Sequence, residues 1–187
     1  VYGERSSADF LNSWKLVRTS TPLENSRTEH QIVYDDAETG LQVKCVGIAY
    51  SDFPVVEWTL YFKNNGNVET PILRDILAID TRVERSSTEE YVLHRHKGDN
   101  CTADSYEPIE ETLAAGNARR IANTGGRPTQ TEFPYFNIVA GGEGLIYVLS
   151  WPGQWRVEFQ RDNANGLVLR GGQEETHFKL MPGEEVR

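Results

Sequence analysis

Residues 55–63 constrain this chain more than any other segment. Val56, Trp58, Leu60 and Phe62 fall on one side of an extended backbone, and Val55, Glu57, Thr59, Tyr61 and Lys63 fall on the other. A period of two is the pattern of a strand with one face in a core, and it places Trp58 inside. Asn64-Asn65-Gly66-Asn67 follows, and the next apolar run opens at Pro71-Ile72-Leu73, so the spacing predicts a hairpin. Similar short runs recur at 14–18, 29–34, 41–50, 76–83, 91–96, 135–139, 145–151, 155–160, 167–170 and 177–180. Residues suited to chain reversal separate them at 35–40, 141–144, 151–153 and 162–166. The pattern predicts an all-β fold, a large antiparallel sandwich with little or no helix, filling residues 1–187 as a single domain. The best helical alternative, 109–122, is broken by Gly116-Asn117.

Residues 97–134 read differently. The stretch is poor in large aliphatics and holds Gly98, Pro108, Gly116, Gly125, Gly126 and Pro128, which predicts a long excursion. Loops of that length inside a compact domain usually line a site or dock a partner.

Charge and composition narrow the partners. The 187 residues carry 28 acidic against 19 basic side chains, a formal net charge of −9 with no basic run. Phosphate backbones and anionic membrane surfaces are recognised by clustered Lys and Arg, so neither nucleic acid nor a membrane is an expected partner. No stretch approaches the ~20 apolar residues that span a bilayer, and residues 1–10 lack the pattern of an export signal. The chain opens with Val1, as a mature product or an excised domain would, so the compartment stays open. Cys45 and Cys101 fit either one bridge or two free thiols. Asn100-Cys101-Thr102 has the form of a glycosylation sequon.

Reactive motifs are sparse. The adjacent pairs Asp35-Asp36, Glu89-Glu90, Glu110-Glu111, Glu174-Glu175 and Glu184-Glu185 would point to opposite faces of a strand, so the members of a pair cannot share a pocket. His94 and His96 would point the same way on a strand, with His177 or a carboxylate as further ligand, but structural zinc needs four ligands and no second pair has the spacing. Neither a G-x-S-x-G elbow nor a phosphate loop occurs, and no cofactor or metal is expected. Aromatic residues are the positive feature. Trp151 and Trp155 flank the turn Pro152-Gly153-Gln154, where a rim aromatic could stack on a sugar ring, although core aromatics that plug the sandwich end are the commoner use of such residues.

The second half of the chain carries a resemblance. Phe133-Pro134-Tyr135-Phe136-Asn137, Ser150-Trp151-Pro152-Gly153-Gln154-Trp155, Gly172-Gln173-Glu174-Glu175-Thr176-His177 and Leu180-Met181-Pro182-Gly183-Glu184-Glu185-Val186-Arg187 together resemble the N-terminal domain of α-galactosidase-like glycoside hydrolases of family 36 and relatives. Gly125-Gly126-Arg127-Pro128 and the 100–104 loop look similar too. The resemblance implies a galactose-mutarotase-like β-supersandwich followed, past Arg187, by a (β/α)8 catalytic barrel. Because the family's catalytic aspartates lie in that barrel, no catalytic residue carries over. It implies that the domain packs against the barrel, its main partner, partly walls the pocket and supports a homo-oligomer. The 97–107 loop is the candidate wall, with His96, Asp99 and Asp104 as its polar members. A second reading is a stand-alone carbohydrate-binding module that stacks a galactoside on Trp151, Trp155 or Tyr135. A third is a mutarotase-like sugar epimerase with His94, His96 and Glu174 as acid and base.

Overall fold

A computed structural model describes residues 1–187. Strands β1 to β5 run over Lys15–Leu23, Arg27–Asp35, Leu41–Tyr50, Val55–Asn64 and Leu73–Arg74. Strands β6 to β13 run over Leu77–Glu84, Tyr91–His96, Pro108–Leu113, Ala118–Ala122, Tyr135–Ala140, Glu143–Val148, Trp155–Arg161 and Gly166–Gln173. The short β14 and β15 run over His177–Phe178 and Glu185–Val186. The only helical pieces are one capped turn, Ser7–Phe10, and a 3-10 turn, Leu11–Ser13. Every strand pairing is antiparallel, so the fold is all-β. The chain divides into two compact units, residues 1–74 with 177–187, and residues 75–176.

The first unit is built on a five-stranded sheet in the order β1-β2-β3-β4-β15, with β5 and β14 forming a separate pair. Its buried residues gather at one end of the long strands and near the terminus: Tyr2, Phe10, Leu41, Phe62, Leu73 and Leu180. Tyr2, Phe10 and Trp14 meet ring to ring, with centroids 4.8 to 6.1 Å apart. Two expectations need correction. Strand β4 pairs with β3 and β15, not with the run at 71–73, which pairs with β14 as β5. The reason lies in Asn64, whose buried amide donates to the carbonyls of Val68 and Leu180 at 2.8 and 2.9 Å while its oxygen accepts from Gly66 N–H. Those bonds pin residues 64–70 as a loop and leave no tight turn there. Trp58, expected in a core, is 37% exposed, and Val56 beside it is more exposed still. Alternation decides which side chains share a face, but whether that face is covered depends on a second layer.

The second unit is a sandwich. One sheet has the order β11-β10-β7-β8 and the other β6-β13-β12-β9. Leu93, Phe136 and Ile138 from the first sheet and Trp155, Val157, Phe159, Leu167 and Leu169 from the second are buried in one continuous cluster. Phe136 touches Trp155 and Phe159 edge-on, with centroids 5.8 and 5.3 Å away. Burying a side chain of this size contributes about 1.5 to 3 kcal/mol, so this cluster dominates the unit's stability.

Residues 97–134, expected as one long excursion, contain β8 and β9, joined through Gly116 at φ +75° but assigned to opposite sheets. The helical alternative at 109–122 is the same pair of strands. Their pattern was masked because the inward row of β8 holds a carboxylate, Glu111, and that of β9 holds Arg119. Glu111 accepts from Arg95 Nε at 2.7 Å and from Arg119 Nε at 2.8 Å, and Arg95 reaches Glu132 at 2.8 Å. A second buried cation, Arg161, bonds Glu90, Asp162 and the carbonyls of Ala164 and Gly166, and lies 5.6 Å from the Tyr91 ring. Each guanidinium is nearly excluded from water, so its hydrogen bonds must all be met by the fold.

Candidate functional site

The two outer faces of the second unit differ in kind. On the β6-β13-β12-β9 sheet the outward side chains pair with one another: Arg82 with Glu84 and Asp162, Arg170 with Asp80 at 3.2 Å, and Arg120 with Glu174 at 3.3 Å. On the β11-β10-β7-β8 sheet the outward row is Glu110, His94, Asn137 and Ile146, consecutive partners across four strands. Glu110 faces out and Glu111 faces in, as strand alternation requires of an adjacent acidic pair.

This second face holds a concavity of about 560 Å³, lined by His94, His96, Glu110, Tyr135, Asn137 and Ile146 among others. Tyr135 stacks on Phe133 with centroids 5.0 Å apart and planes at 20°. Phe133 is in turn edged by Tyr106 at 5.7 Å and His96 at 6.4 Å. His94 Nδ1 stands 3.4 Å from Glu110 Oε2, a loose pair. Nowhere do three or more His, Cys, Asp or Glu side chains converge in a way that could hold a metal ion.

The 97–107 loop leaves the end of β7 and is tied to the chain after β9. Gly98 N–H donates to Thr131 O at 2.9 Å and Asp99 N–H to Thr129 O at 2.6 Å. A Cβ at Gly98 would sit 2.1 Å from Thr129 O, so only glycine permits this approach. Asp99 accepts from Cys101 N–H at 2.8 Å and from the Ser105 hydroxyl, and these bonds hold its carboxyl below the usual range. Asp104 accepts from the Thr102 hydroxyl at 2.6 Å and from Lys97 at 2.9 Å, which brings its pKa down to about 2. Glu107 and Asp104 together push the Lys97 ammonium up. Below the loop, burial raises Glu132, while Glu111 is also pushed up by burial but held lower overall by Arg95 and Arg119.

The structure therefore brings His96, His94 and Tyr135 together on one concavity and places Asp99 and Asp104 in the adjoining loop, where their oxygens already serve its internal bonds. Trp155 is a correction. It is wholly buried, its indole N–H donates to Pro128 O at 2.6 Å, and no ring face is left for a ligand. Trp151 is half-buried against the sandwich core and does not line the concavity. Glu174 belongs to the opposite sheet's outer face, and His177 to the first unit. Cys45 and Cys101 are both free, Cys45 half-buried with its thiol pushed up by burial. Sequence reasoning missed Phe133, Asn137 and Glu110 as members of the site. Phe133-Pro134-Tyr135 did carry a signal, because residues two apart on an extended chain share a side.

An antiparallel all-β sandwich with no metal cluster and one aromatic outer face defines a class of domain rather than a reaction. Comparison with known proteins addresses the fold alone. No family model matches the chain, and no curated protein does. Among solved structures, the family 36 α-galactosidase AgaA of Geobacillus stearothermophilus matches with a TM-score of 0.69 and 17% identity over 92% of this chain. AgaB of the same organism matches with a TM-score of 0.70 and 19% identity over 99% of this chain. The α-galactosidase of Lactobacillus brevis gives a TM-score of 0.69 at 13% identity over 92% of this chain. The chain spans only about a quarter of the length of each, 25 to 26%. It has the fold of one part of these α-galactosidases. No helix is long and apolar enough to cross a membrane.

Proposed function

We propose that this chain is the non-catalytic N-terminal domain of an α-galactosidase-like glycoside hydrolase, with both units forming one domain, 1–187, that packs against a catalytic barrel in the same polypeptide. The observation that carries the reading is the lopsided coverage, in which 92 to 99% of this chain matches about a quarter of each larger enzyme. The resemblance of the 133–187 phrases points to the same enzymes. In this role the 97–107 loop is a stiff wall beside the substrate pocket: Asp99 and Asp104 hold its shape, and His96 is the polar side chain it presents. Homo-oligomer formation belongs to the same proposal.

The test is to assay residues 1–187 beside the longer polypeptide read from the native transcript, using a chromogenic α-galactoside. The longer protein is expected to cleave it and residues 1–187 alone to leave it intact. A stop codon directly after Arg187, or hydrolysis by residues 1–187, would overturn the reading. Within the longer enzyme, Asp104→Ala should raise KM while leaving the fold intact; unchanged kinetics would remove the loop from the pocket.

A further inference from the structure

We propose that the outer face of the β11-β10-β7-β8 sheet is itself a pyranoside-binding site, with Tyr135 as the stacking ring and Glu110, His94 and Asn137 as the polar row beside it. A pyranose has one face of C–H bonds and a rim of hydroxyls, each both donor and acceptor. Its recognition needs a flat ring held in place and several mixed polar groups within one ring's reach. Both are present. Phe133 backs Tyr135 at 5.0 Å and is braced by Tyr106 and His96, so the ring that remains 47% exposed is oriented before any ligand arrives. Glu110, His94 and Asn137 are direct cross-strand partners, so the row crosses two inter-strand steps, about 10 Å. It offers a carboxylate acceptor, an imidazole and an amide that both donates and accepts.

The polar groups are also uncommitted enough to exchange partners. The His94–Glu110 approach of 3.4 Å is at the edge of a hydrogen bond, whereas the opposite sheet's charges are already paired with one another. The concavity of about 560 Å³ lies in the ordinary range for small-ligand sites, about 300 to 1,000 Å³, and accommodates a monosaccharide or a disaccharide. Ile146, 71% exposed at the end of the row, supplies a further apolar edge.

This inference does not depend on a catalytic barrel. An inactive longer polypeptide would refute the accessory role and leave it standing, and a failed titration would do the reverse. The experiment is a titration of residues 1–187 with methyl α-galactoside and methyl α-glucoside, followed by backbone amide shifts. Saturable shifts confined to β7, β8, β10 and β11 are expected, with a Kd of about 1 mM for the better ligand. Tyr135→Ala should weaken binding at least about tenfold, Tyr135→Phe should keep it, and Asn137→Ala should weaken it several-fold. The Asn137 variant carries the test if Tyr135→Ala fails to fold. No saturable shift with either sugar up to about 50 mM, or unchanged binding in both alanine variants, overturns the proposal and leaves the face to a protein partner.

Discussion

The two units use the same local pattern and reach opposite outcomes. In the first unit, β1 to β4 are nine or ten residues long and fully hydrogen-bonded in register, yet β1 is exposed along its whole length and β4 over its first half. In the second unit, β12 and β13 are shorter, seven and eight residues, and β12 alternates strictly between buried positions and positions open to solvent. The difference teaches that strand length and alternation measure how well a chain forms a sheet, and that burial is decided by what lies against the sheet. Stability should follow burial rather than strand length.

The largest expected effect tests that directly. Trp155→Ala should cost about 3 to 5 kcal/mol by leaving a cavity and orphaning Pro128 O, read as a fall in the denaturant midpoint. Trp58→Ala, on a longer strand but an exposed face, should cost about 1 kcal/mol or less. Equal losses would erase the contrast between the units. The proposal that 1–187 is one domain adds a condition: probes in both units should report a single coincident transition, and two separate transitions would break it.

Arg161→Met comes next, at about 3 kcal/mol, because it strands Glu90 and the carbonyls that the guanidinium holds in the 162–166 turn. Amide hydrogen exchange should rank the strands by burial, with β12 and β13 slowest and the free edge of β1 near the rate of an unprotected chain. Slow exchange along β1 would mean that strand length protects after all.

Acid should act on the second unit's loops. Asp162, bonded first to Arg82 and then to the backbone N–H groups of its turn, and Asp104 both have carboxyl pKa values near about 2. A depressed carboxyl contributes stability that is present above its unfolded value, about 3.9, and is lost as pH falls toward about 2. Stability of the second unit is expected to decline across that window, and Asp162→Asn should flatten the decline. The smallest effect is Arg170→Ala on the paired outer face, within about 0.5 kcal/mol, since exposed ion pairs contribute little.

Much of the architecture was legible in the chain, and the exceptions are instructive. The runs at 41–50, 91–96 and 155–160 became β3, β7 and β12 with nearly the same bounds. Strands β8 and β9 were hidden because their inward positions carry Glu111 and Arg119, which satisfy each other rather than the apolar pattern. The hairpin expected after β4 failed for a non-local reason, the bonds from Asn64 to Val68 and to Leu180, the latter 116 residues away. At the candidate site, His94 and His96 shared a side as their spacing implied, but Asn137 and Glu110 joined them through pairings between strands and Phe133 through ring contacts with Tyr135 and His96.

By itself the sequence determined that the chain forms antiparallel strands and which side chains share each face. These follow from periodicity, a property of near neighbours along the chain. Tertiary structure alone decided that Trp155 is sealed in a core while Trp58 is exposed, that β8 and β9 enter different sheets, and that Tyr135, His94 and Asn137 meet on one face. Each of those outcomes depends on which strands pair and which layers stack, and both are set by contacts between residues far apart in sequence.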